Sequence, residues 1–316
     1  MPSPSPPPSP SPSPPPSGTS PSPPGTAVSI GAYDGVHLGH QAVLRELRRL
    51  AEGRETVVVT FDRHPATVVR PESAPKLLTS LDQKLEALDA TGCVDRTVVI
   101  PFDYQRSQKE PEDFVREVLI DGLDASLVVV GEDFHFGRGR RGNVALLRQF
   151  SGFDTVGLGL LAVAEGPISS TAIRRLVAAG EVEEAARLLG RPFELRGTIV
   201  TGNRRGRTLG YPTANFDLTP DLLLPAVGIY AAWYERPDGS VQPAAVSVGL
   251  RPTFGDTTPL PVVEAFLLDF DGNLYGEAAK LRLVRRLRDE ERFDSIAALV
   301  EQMGRDVVDA WAALTP

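Results

Sequence analysis

The distribution of apolar residues changes character once along this chain of 316 residues, and that change limits the folds open to it. From Ala27 to about Ala186, strand-like runs alternate with helical patterns. Val28–Ile30 leads into a glycine turn, and His40–Ala51 carries Val43, Leu44, Leu47 and Leu50 at helical spacing. Thr56–Phe61 is a continuous apolar run of the kind a buried parallel strand needs. Leu81–Asp89 reads as a helix, Thr97–Ile100 as a strand, and Leu127–Val130 as another strand. Pro111–Leu119 reads as a helix, with proline and the acidic pair Glu112 and Asp113 in its first turn. This alternation predicts a doubly wound α/β sheet, whose ligands bind beyond the carboxyl ends of the strands. The loops after Ile30, Phe61 and Val130 are therefore where chemistry is expected.

Near residue 188 the helices stop. Glu194–Val200, Ile229–Tyr234, Ala244–Val248 and Val262–Phe270 read as strands joined by turns such as Asp238-Gly239 and Asp271-Gly272, which predicts an antiparallel barrel or sandwich. A final helix, Ser295 to about Ala313, has Ile296, Leu299, Val300, Met303 and Val307 on one stripe. Two architectures in series give two domains, 27–186 and 187–316, with the junction around Arg187–Arg196. Residues 1–26 belong to neither. They hold thirteen prolines, eight serines and no charged side chain, a composition that predicts a disordered, extended tail or, as a lesser alternative, a ligand for a proline-recognition module. The segment has neither the basic start and apolar centre of a secretory signal nor the arginines of a transit peptide.

Composition removes several function classes. Thirty-three Lys and Arg stand against 41 Asp and Glu, a net charge of −8, so a nucleic-acid binder with a basic face is not expected. No run approaches the ~20 apolar residues of a membrane span. A single cysteine, Cys93, excludes an intrachain disulfide framework, and four histidines in all make a histidine-rich metal cage improbable on counting alone. A reducing, cytoplasmic compartment is expected.

Two constellations carry chemistry. In Gly31-Ala-Tyr-Asp-Gly-Val-His-Leu-Gly-His40, His37 and His40 bracket Gly39 where a strand gives way to a helix. Helix N-termini attract anions, two imidazoles three residues apart would address the same anion, and Gly39 admits a phosphate to the backbone. Nucleotidyl transfer needs such donors around a pentavalent phosphorus; two histidines in a polar loop are the plain alternative. Ser169, Ser170 and Thr171 begin a later helix, and Arg174 one turn on could hold a triphosphate, although capping alone would explain one of the three hydroxyls. Asp133, after the strand ending at Val130, can face the cleft. Asp62 and His64 either line it or support a turn with Pro65, and the loop Arg138–Gly142 either closes over phosphates or is a solvated turn.

The second constellation is Gly202-Asn-Arg-Arg-Gly-Arg-Thr-Leu-Gly-Tyr-Pro-Thr-Ala-Asn215. Gly202, Gly206 and Gly210 interleave with Arg204, Arg205 and Arg207, a loop suited to wrapping a phosphate chain. Thr213 and Asn215 lie two apart on an extended segment, share a side, and offer hard oxygens to Mg²⁺. Glu264 interrupts an apolar strand. It is either an inward functional charge, able to take a proton from a hydroxyl attacking a γ-phosphate, or an outward residue on a half-exposed strand.

With these motifs in this order, the chain closely resembles the bacterial bifunctional riboflavin kinase/FMN adenylyltransferase (FAD synthetase) family from about Val28 to the C-terminus. The matching stretches are Gly31–Gln41, Val129–Gly137, Ile168–Arg174, Leu188–Pro192, Gly206–Phe216, Gly249–Phe254, Val263–Gly276 and Leu287–Phe293. The resemblance implies an N-terminal H-x-G-H nucleotidyltransferase domain that moves AMP from ATP to FMN, giving FAD and pyrophosphate. His37 and His40 would act on the transferring phosphate, with Gly31, Asp34, Gly39, Ser170, Thr171 and Arg174 at the ATP and Asp133 by the flavin and ATP cleft. It implies a C-terminal riboflavin kinase barrel in which Gly206 and Arg207 bind ATP, Thr213 and Asn215 bind Mg²⁺-ATP, and Glu264 deprotonates the riboflavin 5′-hydroxyl. The last helix would help frame the flavin, and Phe254, Phe266 and Phe293 could pack against its ring. The chain departs from the common pattern at Tyr33, where Phe is usual, at Arg63 within Asp62-Arg-His-Pro65, where Pro is usual, and at Ser247, where Asn is frequent. Two readings on the same fold stay open: a chain with one active half, and a flavin-binding protein without turnover. The two intact residue sets argue against the second. A tRNA-handling relative would need a basic surface that this composition lacks.

Overall fold

In the computed structural model of the protein, residues 25–159, 162–163, 166–202, 206, 209–251 and 260–315 are described. The first half is a five-stranded parallel sheet, β1 (Thr26–Ile30), β2 (Glu55–Phe61), β3 (Arg96–Ile100), β4 (Ala125–Gly131) and β5 (Asp154–Leu158), in the order β3-β2-β1-β4-β5. Alternation builds both faces. Val28 and Ile30, Val57 and Val59, and Val128 and Val130 enter one core; Ala27, Val58, Leu127 and Val129 enter the other. Helices α1 (Leu38–Leu50) and α2 (Leu81–Asp89) cover the second face through Leu44, Leu47 and Leu88. The segment α3, Pro111–Phe114 running on as a π-helix Val115–Asp121, covers the first through Phe114, Val115 and Leu119. The strand order therefore reverses between β1 and β4, where a doubly wound sheet opens its crevice.

Three expectations for this half need correction. Strand β1 begins at Thr26, which the proline-rich tail was expected to include: its amide and hydroxyl bond to the carbonyls of Asp124 and Leu123. The rest of the expected tail, residues 1–24, lies outside the described residues. Strand β5 was not anticipated, because its half-buried residues around Gly157 make no continuous apolar run. Helix α3 runs past Leu119 to Asp121, and everything from Val115 on takes the π form.

The second half is a closed barrel of β6 (Phe193–Val200), β7 (Ala214–Leu218), β8 (Gly228–Glu235), β9 (Val241–Arg251), β10 (Leu260–Leu267) and β11 (Ala278–Arg288), in the order β6-β7-β10-β9-β8-β11 with antiparallel pairing throughout. The closing strand β11 was missed. It alternates buried Ala279, Leu281 and Leu283 with Lys280 and Arg282, which reach Glu235 and Glu194 outside the barrel. Strand β10 stops at Leu267, short of the expected Phe270. Helix α6 (Ile296–Leu314) lies on the outer wall through Val307, Ala310 and Leu314 against Trp233, Ala245 and Phe266. Val307 belongs to the expected stripe, and Ala310 and Leu314 continue it at helical spacing; only Ile296, at the start of the helix, is exposed.

Between the halves, α4 (Ser170–Ala179) and α5 (Val182–Leu189) share one apolar core with the barrel, in which Ile173, Val177, Val182 and Leu188 meet Tyr230, Leu281 and Leu283. Gly190 ends α5 in the left-handed region, and Pro192 starts the run into β6.

Candidate active sites

The first site forms where β1 enters α1. His37 is the N-cap of α1, and its ring nitrogen Nδ1 accepts the His40 amide at 3.3 Å. A neutral imidazole that accepts at Nδ1 carries its proton on Nε2, which is left as a donor. The two rings stack at 3.6 Å between centroids and 16° between planes. Burial, with the nearby charges of Arg174 and Arg191, pushes the His37 imidazole down to about 4. Burial and the neighbouring His37 hold His40 well below the ordinary value. Both rings are therefore neutral hydrogen-bonding groups at pH 7.

A Cβ on Gly39 would lie 3.1 Å from the His37 ring and 3.4 Å from the Ile168 carbonyl, so the lack of a side chain lets the segment before α4 come against α1. This joins the two N-terminal motifs. Ser169 caps α4 by accepting the Ala172 amide, Ser170 donates to the Asp34 carbonyl at 2.8 Å, and Thr171 is exposed on the first turn. Arg174 pairs with the Asp34 carboxylate and donates to the Lys76 carbonyl at 2.8 Å.

Asp34, expected among the groups at the ATP, has an inward carboxylate. It is buried, and its carboxylate takes the amides of Leu78 and Thr79, the Thr79 hydroxyl and Arg174. It pins the loop from inside. Arg174, expected to hold a triphosphate, is likewise engaged by this buried carboxylate. Gly31 and Tyr33 lie at the start of the loop, where the Tyr33 hydroxyl meets Ser29 at 2.6 Å and its ring lies 5.0 Å from that of His40. The larger side chain is thus accommodated by a hydroxyl partner.

Asp133 is exposed in the loop after β4, beside the reversal point of the sheet. Asp62 accepts the Phe102 amide and Arg63, while His64 accepts the Ala66 amide at Nδ1. The loop at 138–142 tips a short hairpin whose Arg138 and Arg141 pair with Glu110 in solvent.

Lys84 was missed. It is buried on α2, donates to the Ala32 and Phe61 carbonyls at 3.3 and 2.7 Å, and lines a cavity with Asp62, His64 and Thr79. Burial brings its ammonium down to about 8. The available signal was a lysine one turn before Leu88, on the face that α2 buries.

The second site lies on the outer wall of the barrel. Val263, Ala265 and Leu267 point into the core, so Glu264 and Phe266 stand on the opposite face. The inward placement of Glu264 is therefore corrected: the residue is half-buried and outward. The strand register nevertheless assembles the predicted set. Asn215 on β7 and Ser247 on β9 both lie directly opposite Glu264, and the Thr213 hydroxyl donates to the Glu264 carboxylate at 3.0 Å. Asn215 is buried.

Two described glycines, Gly202 and Gly206, pack closely beside this group. A Cβ on Gly202 would fall 2.3 Å from the Asn215 side-chain oxygen, and one on Gly206 2.2 Å from the Tyr211 carbonyl. Tyr211 meets Phe266 edge to face at 5.1 Å, with its hydroxyl beside Gly304 of α6. Phe293 lies 6.0 Å from the Arg288 guanidinium. Arg204, Arg205, Arg207 and Phe254 lie outside the described residues.

Thr213 and Asn215 supply hard oxygens beside the Glu264 carboxylate, a donor set that fits Mg²⁺ arriving with nucleotide phosphates. Among the described residues no group of three or more His, Cys, Asp or Glu could hold a metal on its own.

Comparison with known proteins covers both halves. The sequence matches the FAD synthetase family over residues 19–172 and the riboflavin kinase family over residues 189–314. It is 37% identical over 290 residues to the bifunctional riboflavin kinase/FMN adenylyltransferase of Listeria monocytogenes, spanning 90% of this chain and 91% of that protein. The Escherichia coli K12 protein of the same description is 34% identical over 293 residues, spanning 90% and 92%. A crystal structure from Streptococcus pneumoniae described as a macrolide-efflux protein superposes with a TM-score of 0.83 at 31% identity, covering 91% of this chain and 94% of the other. Among the described residues of this chain, no helix is long and apolar enough to cross a membrane.

Proposed function

The chain belongs to the bifunctional riboflavin kinase/FMN adenylyltransferase family, and from that premise we propose how its residues divide the two ATP-dependent reactions. Residues 187–316 phosphorylate riboflavin to FMN, and residues 27–186 adenylylate FMN to FAD with release of pyrophosphate. Riboflavin, FMN and ATP are its substrates, and we place the work in the cytoplasm with neither nucleic acid nor membrane as a partner.

In adenylyl transfer, a phosphate oxygen of FMN attacks the α-phosphorus of ATP and the bond to pyrophosphate breaks. His37 and His40 donate hydrogen bonds to the oxygens that gain charge, and the first turn of α1 adds its dipole. Neutral rings suit this role, since they donate without exchanging a proton with the phosphate. Ser170, Thr171 and Arg174 stand at the neighbouring helix start, on the ATP side, and Asp133 by the shared flavin and ATP cleft.

In the kinase reaction, Glu264 accepts the proton of the riboflavin 5′-hydroxyl as its oxygen attacks the γ-phosphorus and ADP leaves. The glycine loop containing Gly206 and Arg207 lies along the ATP phosphates. Thr213 and Asn215 would hold Mg²⁺, which when bound neutralises phosphate charge.

The observation that carries this reading is the convergence of Thr213, Asn215 and Glu264 on one patch, far in sequence from the stacked His37–His40 pair. Product chromatography tests the division. Glu264→Ala should abolish FMN formation from riboflavin and leave FMN-to-FAD conversion running, and His37→Ala should do the reverse. Loss of both activities from either substitution in a folded protein contradicts the assignment.

A further inference from the structure

The loop between β1 and α1 is strained. Tyr33, Gly35 and Val36 have φ of +52°, +84° and +40°. For a β-branched residue such as Val36 this conformation is unfavourable and persists only where surroundings impose it. Asp34 is pinned from the α2 side, as described above. The peptides of Gly35 and Val36 are held from elsewhere, by the segment that joins the two halves.

Arg191 donates to the Gly35 carbonyl at 2.8 Å and to the Val36 carbonyl at 3.4 Å. Gln41 donates to the same Val36 carbonyl at 2.9 Å and to the Leu189 carbonyl at 3.1 Å. Between these contacts Gly190, at φ +77°, comes so close to Leu38 that a Cβ would sit 2.7 Å from its side chain. Residues 189 and 190 thus touch the first turn of α1, and Arg191 touches the loop that leads into it.

We propose that Arg191 is a positioning residue for adenylyl transfer: its guanidinium sets the direction of the peptide groups that lead into His37. In a trans peptide the C=O and N–H point opposite ways, so holding the Val36 carbonyl toward the linker aims the His37 amide away from it. The same contact fixes the entry angle of α1 and with it the stacked imidazoles. Cutting these bonds frees Val36 to leave its strained conformation and turns the donors from the reacting phosphate. The inference rests on the reading of His37 and His40 as the adenylyl-transfer site.

The experiment compares Arg191→Met, Arg191→Lys and His37→Ala in the full chain, with riboflavin phosphorylation followed in each. Arg191→Met should lower kcat for FMN-to-FAD conversion by about 100-fold with little change in KM for FMN, the scale expected when oriented donors are misplaced. Kinase turnover should stay within about twofold, since additivity holds for distant groups. Arg191→Lys restores a donor and should recover part of kcat. Removing the charge should also raise the titration midpoint of His37 in NMR, and the Lys variant should keep it low. Unchanged kcat in Arg191→Met, equal loss of both activities, or no recovery in Arg191→Lys overturns the proposal. Should Arg191→Met fail to fold, Gln41→Met decides through the same carbonyl, with kcat lowered about 10-fold if the proposal holds and unchanged if it does not. Full adenylyl transfer in His37→Ala would instead remove the underlying site reading.

Discussion

His37 divides two tasks between its ring nitrogens: Nδ1 caps α1 and Nε2 keeps the proton of the neutral ring. Keeping that ring neutral has a pH signature. The folded value of about 4 lies below the ordinary 6.5, so as pH falls the unfolded chain takes the proton first. The stability gained from a neutral His37 is present above pH 6.5 and is lost as pH falls through about 4, a change of roughly 3 kcal/mol if the ring stays buried. An NMR titration of the four histidines should therefore contain one midpoint near 4 from His37. A His37 midpoint near 6.5 would mean an open ring and a different site. At this scale much was legible, because a histidine at a strand-to-helix passage advertises its chemistry. Asp34, Lys84 and Arg191 were not, since their meaning depends on which backbone groups they meet across long sequence separations.

At the scale of elements, the register of β7, β9 and β10 brings Asn215, Ser247 and Glu264 together, and a slip of one residue would turn Glu264 into the barrel core. The strand that keeps this register closed, β11, was hidden in the sequence by its charge: Lys280, Arg282, Arg285, Arg286 and Arg288 mask the inward Ala279, Leu281 and Leu283. The alternation was present, but charged residues outside a barrel are silent until their partners Glu235 and Glu194 are located. Leu281 is fully buried, so Leu281→Ala should destabilise the protein by about 2–5 kcal/mol in denaturant unfolding. A cost under about 0.5 kcal/mol would indicate that β11 does not close the barrel core. The central strands β1, β2 and β4 were readable because burial on both faces leaves continuous apolar runs; β5, half-buried at the edge, left none.

The whole molecule is more closely joined than a change of architecture at residue 187 suggests. Arg196 on β6 bonds Glu86 of α2 at 2.8 and 2.7 Å, Gln83 reaches the Glu194 carbonyl, and the backbones meet where Leu77 bonds Asp221 and Leu223. Helices α4 and α5 carry at one end Ser170, which bonds the Asp34 carbonyl of the β1–α1 loop, and bury their apolar faces with the barrel. Sequence periodicity finds each half but not the seam, because an interface is made of residues that look like ordinary core or ordinary charge. Two separate ATP sites within this single body are the central claim. Titration calorimetry of the full chain with a non-hydrolysable ATP analogue and Mg²⁺ should give two bound nucleotides per chain, falling to one when Asn215 is replaced by Leu. One nucleotide per chain in the unaltered protein, or none lost on Asn215→Leu, would contradict it.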